Sequence, residues 1–281
     1  MTPNERIAKL LQISDLEAEK IILGYEKDLA QVYAAALKDV KQMIAAMFEK
    51  YGDQVTFKDM VAYQRLTNLE LEIAKQIKTL TGKGKRTVEK AFRDIVSETF
   101  TATGGAINKS LEVTVGFGVL NEDVIKTAII NPMQRITWPE ALQENSAKYL
   151  SQIKTELSQG LIKGEGYAKI AKRLEKTTEM SANKTIRIVR TEGHRAQSIG
   201  RNLAIDKVEG AADRLGLKMK RIWVATNDDR TRDSHKAMDG KEADDDGLFT
   251  LPSGVRTEGP GMSGVAEEDI NCRCTVRIEV G

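Results

Sequence analysis

Residues suited to chemistry gather in the last sixty positions of this 281-residue chain. Cys272 and Cys274 are its only cysteines, and His235 is one of two histidines. Zinc favours thiolate and imidazole, so Cys272, Cys274 and His235 form a candidate metal site with an acid or water as fourth ligand. Ahead of the histidine runs Asp228-Asp229-Arg230-Thr231-Arg232. Arg232 and His235 share a face if the segment is helical. Asp229, Arg232 and His235 are therefore candidates for a histidine base with an acidic orienter and an arginine electrophile. Glu192, in Arg190-Thr191-Glu192-Gly193-His194, is a fourth catalytic candidate.

Each group also has a structural reading, and that reading is preferred. In a strand, Cys272, Cys274, Val276, Ile278 and Val280 fall on one face, and buried cysteine behaves as a small apolar residue. A disulfide between same-face neighbours sits near or beyond the limit of disulfide reach. The Asp-Arg-His run fits a hydrogen-bonded corner that pins a short helix onto a sheet, since ion-pair networks imitate catalytic sites. There is no Gly-x-Ser-x-Gly nucleophile elbow. Gly193 within a helix costs about 1 kcal/mol against alanine, which close approach of another segment would justify. Glu192 and Arg195 then pair at i,i+3 along a buried polar seam against the C-terminal module. Glu242, Asp244 and Asp246 fail as a calcium loop because Ser253 stands where the bidentate glutamate belongs. Gly82-Lys83-Gly84-Lys85-Arg86 lacks phosphate-loop spacing and reads as a basic loop between helices.

Bulk composition narrows the class. Apolar residues are 41%, charged 30% and aromatics 5%, with 5 prolines, which suits long exposed helices better than a sandwich or barrel. A formal net charge of +2 gives no overall drive toward nucleic acid or anionic membrane. Two cysteines cannot build a disulfide framework, so a reducing compartment is expected. The N-terminus has no secretory signal pattern and no apolar run is long enough for a membrane span.

The elements that must position these residues are mostly helical. Ser14-Asp15-Leu16-Glu17 fits a capping box, and Ile22, Tyr25, Leu29, Val32, Ala36, Val40, Met43 and Met47 form one apolar stripe ending at Gly52 and Asp53. A second helix carries Leu66, Leu69, Ile73, Ile77 and Leu80 and breaks at Thr81-Gly82-Lys83-Gly84. A third spans 87–101. Residues 102–118 read as a loop or short hairpin, with Leu111, Val113 and Val115 alternating. A short helix follows from Asn121 and stops at Asn131-Pro132. Thr137-Trp138-Pro139-Glu140 opens the next helix. Glycines 160, 164 and 166 form a turn before a short helix at 167–174, and Ser181 caps another running to about Leu215. Strands are expected at 217–226, 247–251 and 272–280, with a short helix at 232–238. The fold class is mainly α: long amphipathic helices, then a small α+β module with a short antiparallel sheet. The expected division is an interaction region at 1–134, a helical segment at 135–215 and the module at 216–281.

Taken in order, Arg190-Thr191-Glu192, Trp223, Asp229-Arg230-Thr231-Arg232, His235, Asp239-Gly240, Pro260 and Asn271-Cys272-Arg273-Cys274 resemble the phage Mu F-like head morphogenesis proteins, over roughly residues 135–281. The resemblance implies a minor head (minor capsid) protein of a tailed phage or prophage, a low-copy virion component in the head interior or at the portal vertex. Assembly would pass through the host cytoplasm. Its implied partners are the portal protein, a major capsid or scaffold protein and packaged double-stranded DNA, with roles in head assembly and in DNA packaging or ejection. Within the module, Trp223, Asp239, Gly240, Asn271, Cys272 and Cys274 are its structural residues. Some relatives carry toxin domains after this module; none is expected after Gly281. The resemblance transfers no catalytic role, so no enzyme activity and no cofactor are expected, zinc being the alternative. Lys163, Lys169, Lys172, Arg173, Lys184 and Arg187 are candidate contacts to DNA phosphates without sequence choice. The competing function is a metal-assisted or histidine-dependent hydrolase or transferase acting on nucleic acid or nucleotides.

Overall fold

A computed structural model describes residues 1–52, 54–130, 136–212 and 216–281. In chain order its elements are α1 (Pro3–Tyr51), α2 (Phe57–Val61), a 3-10 turn (Ala62–Gln64), α3 (Arg65–Leu111), α4 (Glu122–Ile129), α5 (Trp138–Ile162), α6 (Tyr167–Ala212), β1 (Met219–Val224), α7 (Asp233–Lys236), β2 (Phe249–Thr250), β3 (Arg256–Thr257), α8 (Ala266–Asp269) and β4 (Thr275–Val280). The mainly helical class and the small C-terminal sheet are as expected. No helix among the described residues is long and apolar enough to cross a membrane. Two compact units emerge. The first comprises Met1–Gly24, Glu89–Trp138 and Val189–Gly281, the second Tyr25–Val88 and Pro139–Ile188.

The second unit is built on apolar stripes at helical spacing. Tyr33, Val40, Ile44 and Met47 of α1 join Leu69, Ile73, Ile77 and Leu80 of α3, Tyr149, Ile153 and Leu157 of α5, and Ile170 and Leu174 of α6 in one buried core. A polar seam runs within it. Asn145 Nδ2 donates to the Ser181 carbonyl at 2.9 Å and to Thr185 Oγ1 at 3.0 Å, and the Tyr33 hydroxyl is hydrogen-bonded to Thr185 Oγ1 at 2.7 Å. The Tyr149 hydroxyl meets Thr178 Oγ1 at 2.7 Å, and burial pushes its pKa up to about 12. Gly160 permits close contact of α5 with α6: a Cβ there would lie 2.5 Å from Ile170 Cγ1.

Several expected helix ends are absent. Ser14 lies buried inside α1. The capping box sits twelve residues earlier, where Thr2 Oγ1 accepts from the Glu5 amide at 3.2 Å and Glu5 Oε2 from the Thr2 amide at 2.8 Å. Pro3 follows as first helical residue, where a missing amide costs little. The break at Thr81–Gly84 is also overturned, because α3 runs straight through it. Buried Leu80 and Val88 hold both sides in register, and Thr81 satisfies its hydroxyl on the Ile77 carbonyl at 2.8 Å. Packing outweighs a glycine penalty of about 1 kcal/mol each. Lys83, Lys85 and Arg86 therefore lie on a helix, not a loop. Ser181 caps nothing, since α6 is continuous from Tyr167 to Ala212 and the Ser181 carbonyl is taken by Asn145.

Residues 102–118 split into two. Helix α3 continues to Leu111; Glu112 then takes φ +56° and an extended stretch follows. Its alternating burial matches the alternation of Val113 and Val115, but it pairs with a side chain instead of a strand. Asn108 accepts from the Val115 amide at 3.0 Å and donates to its carbonyl at 2.9 Å. Phe117 lies so close to Gly104 that a Cβ there would be 2.4 Å from its ring. Helix α4 starts as expected, with Asn121 Oδ1 accepting from the Asp123 amide. Asp53, Asn131-Pro132 and the expected helix end at Leu215 fall outside the described residues.

In the first unit, β1 pairs antiparallel with β4, Trp223 opposite Val276, and β2 pairs antiparallel with β3. The first turn of α1 caps this sheet's edge: Asn4 accepts from the Val280 amide at 2.9 Å and donates to its carbonyl at 3.1 Å. Ile7, Leu11, Ile107, Ile205, Val208 and Ile278 close a core beneath.

Candidate functional site

The C-terminal half of α6 supplies the platform for the module. Gly193 and Gly200 let it approach its neighbours: a Cβ at 193 would be 2.9 Å from Ile22 Cγ1, and one at 200 would be 2.5 Å from the Val96 carbonyl oxygen. The face that remains is polar and buried, and it reads the backbone of the module. Thr191 Oγ1 accepts from the Asn271 amide at 3.1 Å, and Ser198 Oγ donates to the Pro260 carbonyl at 2.7 Å. Arg201 donates to the Val276 carbonyl at 2.8 Å and to Asp15 at 2.5 Å. Asn202 donates to the Glu258 carbonyl at 3.2 Å. This is the polar seam expected from Gly193 and Glu192. Glu192 pairs with Arg195 at 2.9 Å, and burial pushes its pKa up to about 7.

The Asp-Arg-His run is a corner. Asp228 accepts from the Arg230 amide and the Thr231 hydroxyl and is clamped by Arg273 at 2.7 Å, which holds its carboxyl far below the usual range. Arg232 donates to the Ile270 carbonyl. Asp229 is exposed and does not orient His235. Asp239 accepts from the Ala225 amide at 2.9 Å and Asn227 Nδ2 at 2.7 Å, and Gly240 turns the chain with φ +75°. Asn271 takes φ +58°, which asparagine tolerates better than most residues. Trp223 stacks edgewise on both His235 and Phe249, centroids 5.6 and 5.3 Å away.

The histidine's partner is Glu268, which the sequence reading did not single out. Glu268 Oε2 stands 3.1 Å from His235 Nε2, and Ser234 Oγ donates to the same oxygen at 3.2 Å. Burial raises the Glu268 pKa, but Ser253, Ser234 and His235 outweigh it and leave it below the usual range. The other ring nitrogen, Nδ1, is 3.5 Å from both Cys272 Sγ and Cys274 Sγ. Both cysteines are buried as expected, just ahead of β4, and their outward neighbours Arg273 and Thr275 are partly exposed. They are free thiols. His235, Cys272 and Cys274 are the group of metal-capable side chains among the described residues whose ligand atoms all lie within 4.8 Å of one another.

A cleft of about 420 Å³ lies elsewhere in the first unit, lined by Arg195, Asn202, Asp206, Arg256, Thr257 and Glu258 among others. It includes neither His235 nor either cysteine. Of the basic candidates, Lys163, Lys169, Lys172, Lys184 and Arg187 are exposed on the second unit. Arg173 is half-buried and held by Glu156 at 2.8 Å and Glu165 at 2.9 Å.

The model of the family described as phage Mu protein F like protein matches residues 151–277. Minor head protein GP7 of Bacillus phage SPP1 is 33% identical over 93% of this chain and 84% of its own length. The chain belongs to this phage Mu F-like family of minor head proteins. It is also 29% identical, over 91% of its length, to a protein of Enterococcus faecalis named NAD(+)--arginine ADP-ribosyltransferase EFV, of which it spans about half (51%). No solved structure matches the chain.

Proposed function

We propose that this protein is a non-enzymatic minor head component that acts in head assembly at the portal vertex and in packaging or delivery of DNA, with portal and capsid or scaffold proteins as partners. The observation that carries this reading is the similarity to a phage minor head protein along nearly the whole chain. Exposed Lys163, Lys169, Lys172, Lys184 and Arg187 supply positive charge for sequence-independent phosphate contacts. The Asp-Arg-His corner supports a structural role: Arg232 and Asp228 are engaged in backbone and ion-pair contacts, and His235 is 2% exposed. Purified procapsids and virions, probed for the protein beside portal and capsid subunits, test the role. Co-purification is expected, and deletion of the gene should lower the yield of infectious, DNA-filled particles. Absence from both particles would remove the proposal.

The Enterococcus faecalis relative favours a second reading, transfer of ADP-ribose to arginine. Incubating the purified chain with labelled NAD+ and an arginine-rich acceptor decides it. No transfer above a boiled control is expected; transfer would replace the non-enzymatic reading.

A further inference from the structure

The convergence of two cysteines on one imidazole is not required by a head-protein role, and a hydrophobic core does not account for it. An ionised carboxylate only accepts hydrogen bonds, so Glu268 on Nε2 places the ring proton there. That leaves the Nδ1 lone pair facing both sulfurs at 3.5 Å. One lone pair accepts one S–H, so the second thiol at the same distance is left with only the neighbouring sulfur, a weak acceptor, as its partner. A metal ion resolves the surplus, because it takes the imidazole lone pair and both sulfurs together. The Glu268–His235 contact then becomes the usual carboxylate–imidazole support behind a metal-bound histidine.

Charge and hydrogen bonding agree. A divalent ion offsets the charge of two buried thiolates, and the Glu268 carboxylate behind the imidazole adds one further negative charge. The Thr226 amide faces the Cys274 sulfur and the Cys274 amide faces the Cys272 sulfur, as donors stabilising thiolates do.

We propose that His235, Cys272 and Cys274 bind one zinc ion through Nδ1 and two sulfurs, and that this ion ties α7 to the segment leading into β4. Three protein ligands leave the fourth tetrahedral position to a water or a backbone oxygen. The role is stabilising, because the three side chains are only 2–5% exposed and none lines the cleft of this unit. The need is local. The module's core is small, centred on Trp223, Phe249, Leu251 and Val276, and its elements other than β1 and β4 are two to four residues long. Modules of that kind commonly depend on a cross-link or metal. His235 lies 37 residues from Cys272, so the ion would close a long loop.

The full-length protein, purified without chelator, tests this directly. Elemental mass spectrometry should find about one zinc per chain. Cobalt(II) exchanged into the protein should give thiolate charge-transfer absorption and tetrahedral visible bands. Cys272→Ser, Cys274→Ser and His235→Ala should each weaken or abolish them. Should those variants fail to fold, the wild-type chain still decides: removing zinc with a chelator should lower Tm by roughly 10 °C, and returning it should restore Tm. Zinc far below one per chain with no cobalt–thiolate absorption would overturn the proposal. So would an unchanged Tm after chelation, or a Cys272–Cys274 disulfide in protein purified under reducing conditions. These readouts need no virion, so their outcome is separable from the head-assembly role.

Discussion

In the second unit, helices of many turns present apolar stripes to one another, and Tyr33, Ile44, Ile73, Tyr149 and Ile153 bury almost completely. In the C-terminal module the elements are short, and much of the contact with α6 is polar: Thr191, Ser198, Arg201 and Asn202 each hold a backbone group of the module. The difference follows from what each part has to bury. A long amphipathic helix satisfies its own backbone and needs only an apolar partner. A module of turns leaves carbonyls and amides unpaired, and these must find partners or lose about 1–3 kcal/mol each.

The contrast can be broken by experiment. Arg201 is 2% exposed and joins Asp15 to the Val276 carbonyl, so Arg201→Ala should cost about 3–5 kcal/mol in urea unfolding. A loss below about 1 kcal/mol would mean the polar seam contributes little beyond van der Waals contact. In the helical unit, Ile153 is fully buried, and Ile153→Ala should cost about 2–4 kcal/mol through lost transfer energy and a cavity. An equal loss from Asn145→Ala, which removes little apolar surface, would show that this unit too leans on its polar seam.

The smallest effect concerns pH. Glu192 is raised from 4.5 to about 7 in the folded chain by burial, so the folded state binds the extra proton between those values. Its contribution to stability is therefore complete below about pH 4.5 and is lost as pH rises through about 7. Glu192→Gln should flatten this part of the stability–pH profile, removing a slope worth at most about 3 kcal/mol. Urea midpoints at pH 5, 6, 7 and 8 measure it, and identical profiles for variant and parent would contradict the assignment.

Legibility differed between the regions for the same reasons. The stripes through Leu29, Val40 and Met47, and through Leu69, Ile73 and Leu80, were readable because a helix repeats every 3.6 residues whatever it packs against. The ends of those helices were not. Gly82, Gly84 and Ser181 carry the local signature of a break, yet α3 and α6 pass through them, because buried neighbours on either side outweigh local preference. In the module, the alternation from Cys272 to Ile278 gave the correct buried face, and the run from Asp228 to His235 was recognisable as a corner, whereas Asp239 and Gly240 were marked only by the family resemblance. Glu268 was hidden: in Glu267-Glu268-Asp269 nothing in the pattern says which carboxylate turns inward.

By itself the sequence determined the mainly helical class, the change to a small α+β module after Gly216, and the ordered residues that mark the phage Mu F-like family. Those depend on periodicity, composition and order, which are properties of the chain. Only the tertiary structure decided that Glu268 orients His235, that Arg273 clamps Asp228, and that Cys272 and Cys274 share one imidazole nitrogen. These are distances between residues 33 to 45 positions apart, and they exist only once loops without a repeating pattern have closed.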